Sequence, residues 1–157
     1  GRAADPGGAP SAAEGRVRGG PMPSGRAAAG FLLLLRGLLA REDASTLHLF
    51  PGVPRPWTGS GQRIDFKRLP TSFGPLEASL ATEGGETLVG IVLHAGREPE
   101  RIVVHLRFPE PRVVTKCALH GICSDERIDG DRLFIEQPRG VLFVTLTHER
   151  AAVGAPS

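Results

Sequence analysis

Tyrosine is missing altogether, tryptophan and methionine occur once each, and cysteine only twice in 157 residues. Two cysteines cannot staple a disulfide scaffold. One Trp and seven Phe are a poor supply for an autonomous sugar-binding module, which needs exposed aromatics to stack on sugar faces. A net charge of +2 is too small to imply an acidic partner, and no basic stripe is interleaved with aromatics, so nucleic acid gains no support. The longest apolar run, "FLLLLRGLLA", is broken by Arg36 and is too short to span a bilayer. Neither a G-x-S-x-G elbow nor a phosphate-cradling glycine loop is present.

What is there divides unevenly. Residues 1–25 are dominated by Gly, Ala, Pro and Arg, and such a segment buries too little to offset its ordering entropy, so it reads as disordered. Residues 26–45 read as a helix. Phe31, Leu34, Leu35, Leu38 and Leu39 fall at i, i+3, i+4, i+7 and i+8, and Ser24 is placed to cap it. A signal-peptide core is the competing reading, disfavoured by Arg36 and by the unusual "REDAS" that follows. Residues 46–61 form a proline-rich connector, "LHLFPGVPRPW", ending in the sole Trp. Residues 150–157 are a polar tail.

Between 62 and 149 the apolar period is two. Ile64 and Phe66 alternate with Asp65 and Lys67, and Leu76, Ala78 and Leu80 alternate with Glu77 and Ser79. Ile102, Val104, Leu106 and Phe108 oppose Val103, His105 and Arg107. Turn signals such as "EGGE" and "DGD" separate the runs. The pattern predicts a mainly β fold: an antiparallel β-sandwich of about seven strands preceded by one apolar α-helix. Without βαβ alternation, a parallel α/β fold is disfavoured.

Several clusters invite chemistry. Cys117, His120 and Cys123 have ligand-like spacing but no fourth ligand follows, so no metal is expected. Instead His120–Gly121 reads as a two-residue hairpin turn, which sends the two cysteines to opposite faces. Asp125, Glu126, Asp129 and Asp131 miss the calcium-loop pattern and read as a solvated turn. Glu42 and Asp43 close the expected helix, and His48, His94, His105 and His148 lie on strands or strand edges. No catalytic residue and no cofactor follows from any of them. Trp57 stands apart: braced by Pro51, Pro54 and Pro56, it either plugs a packing seam or forms a substrate-binding wall for a sugar ring.

Leu47, Leu49, Phe50, Pro51, Pro54 and Trp57, followed by Pro70, Thr71, Phe73, Gly74 and Pro75, resemble the end of the catalytic toroid in bacterial six-hairpin, (α/α)6-barrel glycosidase-like proteins. In that family a last barrel helix runs through a proline corner into a C-terminal β-sandwich. "ERIVVHLRFPEPRVVTKCALHG" is similar to the family's strand, loop and hairpin, with His120–Gly121 where Asn-Gly is usual. The likeness extends from about Phe31 to His148. It implies that the prolines brace a corner between toroid and sandwich, and that the apolar helix belongs to a barrel otherwise missing from this chain. The family's acid and base carboxylates lie on toroid loops, so none is carried over.

The expectation is a non-catalytic C-terminal sandwich of a glycoside hydrolase-like protein, partnered by a helical-barrel catalytic domain, with no nucleic acid and no membrane involved. An autonomous carbohydrate-binding module using Trp57 is the alternative.

Overall fold

The computed structural model of the protein describes residues 36–152. The fold is mainly β, and its strands alternate inward apolar with outward polar side chains. Ten strands lie among the described residues: β1 (Ala40–Asp43), β2 (Thr46–Leu49), β3 (Arg63–Leu69), β4 (Leu76–Glu83), β5 (Glu86–Val92), β6 (Arg101–His105), β7 (Arg112–Ile122), β8 (Asp125–Asp129), β9 (Arg132–Glu136) and β10 (Arg139–Arg150). They form two five-stranded sheets, ordered β1-β2-β6-β9-β8 and β3-β4-β5-β10-β7. Every pairing is antiparallel except β2 with β6, where Leu47 lies beside Ile102 and Leu49 beside Val104.

The inward row of the first sheet (Leu47, Leu49, Ile102, Val104, Leu133, Ile135) shares one core with that of the second (Leu76, Ala78, Leu80, Val89, Ile91, Leu142, Val144, Leu146). These are the positions the period-two pattern selects. The glycine turns behave as expected. Glu83 pairs with Glu86 around Gly84–Gly85, and Asp129 pairs with Arg132 around Gly130–Asp131.

Three boundaries differ from the sequence expectation. Helical backbone covers 36–39, but Ala40–Asp43 is strand β1 rather than the end of a helix reaching 45. The rest of the expected helix, the 1–25 segment and the last five residues lie outside the described residues. The Leu-rich period continues to Leu39, yet "AREDASTLHL" closes into a hairpin, with Arg41 opposite His48 and Ala44–Ser45 at the turn. Ala44 takes the positive φ (55°) that such tight turns need. The sandwich therefore begins at Ala40, not at 62, and the connector expected over 46–61 contains β2.

The proline segment is accordingly a corner within the sandwich, taking the chain from β2 in one sheet to β3 in the other. Phe50 turns it, at φ 59° and fully buried, with its ring edge-on to Phe66 at 5.9 Å between centroids.

The third correction concerns His120–Gly121. Strand β7 runs straight through them to Ile122, with His120 opposite Phe143 and Ile122 opposite Arg139 on β10. The offset between those two pairs makes an irregularity in the ladder. Gly121 sits there at φ 141°, and a Cβ on it would lie 2.8 Å from the Val141 carbonyl oxygen. Glycine is thus required for a close strand approach rather than for a turn. The chain leaves this sheet after Ile122 and enters β8 of the other. Consequently Cys117 and Cys123 both pack against the core side, not on opposite faces.

Two outcomes follow. A chain starting at Ser60 is expected to lose cooperative thermal unfolding, whereas one starting at Arg36 keeps it, as circular dichroism would show. The shorter chain lacks Leu47, Leu49, Phe50 and Val53, all fully buried. At about 1.5–3 kcal/mol each, they rival the whole stability of a typical domain, about 5–15 kcal/mol. Gly121→Ala should destabilise the full chain by about 1–3 kcal/mol through backbone strain and overpacking, read as a lowered midpoint in denaturant.

Candidate functional site

Trp57, the substrate-binding candidate, lies in a short 3-10 turn spanning Arg55–Thr58, where Pro56 pre-sets the backbone. Its N–H donates to the Pro54 carbonyl at 3.0 Å. The side chain is half-buried and rests against the core. The turn is anchored to the segment that leaves β6. Arg55 Nη1 donates to the Phe108 carbonyl (2.8 Å), and Arg107 Nε donates to the Val53 carbonyl (3.0 Å). The buried Thr58 hydroxyl bridges the Arg55 and Arg107 carbonyls. Trp57 therefore closes one end of the sandwich, with part of its indole left to solvent.

Next to this corner is the helix-to-sandwich junction. The last helical carbonyls would otherwise be orphaned. Here Leu39 O accepts the Phe50 N–H (2.7 Å) and Leu38 O accepts the Gly52 N–H (3.2 Å). Arg36 donates to the Pro70 carbonyl (2.7 Å) and to Glu42 Oε2 (2.9 Å). Glu42 Oε1 accepts from the Ser72 N–H (3.0 Å) and hydroxyl. Burial acts to raise the Glu42 pKa, but the Ser72 hydroxyl and N–H and the Arg36 guanidinium outweigh it and hold it below its usual value. Glu42 is a structural anchor.

The outer face of the first sheet carries a histidine pair. His48 Nδ1 and His105 Nε2 are 3.0 Å apart, so one proton lies between them. They are set by the parallel β2–β6 register and flanked by Arg41 across from His48 and Arg132 across from His105. Burial lowers the His105 pKa to about 4, helped by His48, Arg132 and Arg41. Burial, then Arg41, also lowers that of His48, against Asp43.

His148 is enclosed elsewhere. Arg112 Nε donates to its Nδ1 (2.6 Å), which leaves the Nε2 proton for the Thr87 hydroxyl (2.8 Å). Thr87 is in turn 3.0 Å from the Thr82 hydroxyl. Burial and then Arg112 lower the His148 pKa. Every polar atom of this chain has a partner, and the imidazole is held neutral as a core group.

The remaining candidates do not converge. Cys117 and Cys123 are free thiols with pKa values raised by burial and by Glu126, while His120 is exposed on the opposite face of β7. Asp125, Glu126 and Asp129 belong to strand β8, and only Asp131 sits in the turn. No group of three or more His, Cys, Asp or Glu among the described residues is placed to hold a metal ion.

No protein-family model and no solved structure matches the chain. It is 34% identical over 79 residues to triostin synthetase I of Streptomyces triostinicus. That stretch is 49% of this chain but only 15% of the relative.

Sequence reasoning singled out Trp57 but missed the histidine pair. The alternation put His105 on an outward strand position but left His48 in the connector, and their partnership depends on β2 pairing with β6, which three strands of the other sheet separate in sequence. No local signal announces that. For the same reason the Arg112–His148–Thr87 chain was not visible.

The histidine pair makes stability pH-dependent in a fixed direction. With a folded pKa of about 4 for His105 against an ordinary 6.5 for histidine, the unfolded chain binds more protons between those values. The contribution is full above pH 6.5 and is lost as pH falls through the folded value near 4. Denaturant midpoints measured across that window should fall with acidity, and His105→Asn should flatten the fall.

Proposed function

We propose that this chain is the non-catalytic C-terminal β-sandwich portion of a glycoside hydrolase-like protein of the six-hairpin kind, seated against a helical barrel. The observation that carries the reading is the junction. A helix ends at Leu39 with its carbonyls taken by the Phe50 and Gly52 N–H groups and its Arg36 tied to Glu42 and Pro70. A helix entering the sandwich in this fixed way fits a module that continues from a helical domain.

Two further observations support it. The carboxylate nearest the junction, Glu42, is occupied by Ser72 and Arg36, which suits an anchor rather than an acid or base. Part of the sequence also recurs as a small share of a much longer bacterial protein, as a module would. The synthetase activity in that relative's name belongs to the whole of that protein.

Trp57 serves as a seam plug in this reading, and its fluorescence supplies the test because it is the sole tryptophan. Titration with oligosaccharides should leave its emission unchanged, and a panel of aryl glycosides should show no turnover. Saturable quenching by a sugar would favour the autonomous carbohydrate-binding module instead. A toroid-coding reading frame is expected immediately upstream in the genome, and its absence would sink the barrel reading.

A further inference from the structure

The two sheets present opposite surfaces to solvent. The outer face of the first carries charges of both signs, among them Arg41, Arg127 and Arg132 beside Asp43, Asp129 and Glu136. That of the second mixes Arg63, Glu86 and Lys116 with an apolar patch on β5 and β10. All the exposed large apolar side chains of the described residues (Leu88, Val92, Val113, Ile122, Val141 and Phe143) lie on β5, β7 and β10. Register groups Leu88, Val92, Val141 and Phe143, while Val113 stands apart opposite Glu149. Val92 is beside Val141, Phe143 lies between Gly90 and His120, and Thr145 lies between Leu88 and Ala118. Phe143 is 60% exposed, and its ring leans over Gly90, where a Cβ would come within 3.4 Å of Cε1. The ring thereby extends the apolar surface across β5. A contiguous face of this kind marks an interaction site rather than scattered surface residues.

We propose that this face is covered by a second copy of the chain, in a two-fold, face-to-face dimer centred on Phe143. Charge complementarity selects that occupant. Strand β10 starts with Arg139 and ends with Glu149 and Arg150, and Arg150 is already engaged by Glu110. Neither Arg139 nor Glu149 makes an ion pair among the described residues. A two-fold axis crossing the strands at the level of Val144 reverses the partner's β10. Arg139 then meets the partner's Glu149, the reciprocal pair forms at the other end, Ile122 meets the partner's Val113, and Phe143 packs against the partner's Thr145. An isologous interface needs this self-complementarity, and aligned sheet stacking supplies its geometry. The face is strands away from the Arg36–Pro70 junction, so the proposal does not depend on the barrel reading.

Sedimentation of the full chain over a range of concentrations tests it. A monomer–dimer equilibrium is expected. Phe143→Lys should abolish the dimer while circular dichroism stays unchanged, since the side chain is mostly exposed. Arg139→Glu and Glu149→Arg should each weaken the dimer about tenfold, and the two together should restore it. A wild-type chain that stays monomeric at its highest soluble concentration would overturn the proposal. So would association that survives Phe143→Lys, which would point to another surface, or charge reversals that add instead of cancelling, which would point to a different partner geometry.

Discussion

Phe50 is the residue on which the sandwich turns. It is fully buried between the sheets in left-handed backbone (φ 59°), its N–H held by Leu39 O and its ring against Phe66. A non-glycine residue in that conformation costs about 1 kcal/mol or more, which burial of a phenyl ring readily offsets. The arrangement ties the helix end, strand β2 and the crossing to β3 to one side chain. The prolines on either side of Val53 then keep the crossing stiff, so that Thr58, Arg55 and Arg107 can bond across it.

Two polar systems show how differently histidine can be used in one small fold. His148 is sealed in a chain of donors and acceptors in which each atom is satisfied, and it costs little as a neutral core group. His48 and His105 share a proton on an outer face between Arg41 and Arg132. Protonating both would place like charges side by side, so acid works against this pair.

The asymmetry of the outer faces follows from the same economy. One sheet covers Val103 on its outward side with charged and aromatic neighbours, including Arg127 stacked 4.1 Å over the Phe134 ring. The other leaves valine, leucine and phenylalanine bare. Charged side chains near a sheet face keep it solvated, and around Phe143 on β10 there are none.

Local pattern determined much of this protein. Alternation at Leu76, Ala78, Leu80, Ile102 and Val104 named the core residues, and "EGGE" and "DGD" named two turns, because strand period and turn chemistry are properties of a few neighbouring residues. Tertiary structure decided the rest. Arg41 to Asp43 look like the end of a helix and Leu47 looks like connector, yet Ala40–Leu49 folds as a hairpin whose second strand finds a parallel edge on β6. His120–Gly121 has the chemistry of a turn but is drawn through β7 by its pairing with β10. Which sheet a strand joins is settled by partners far away in sequence, and that information is not written in any single segment.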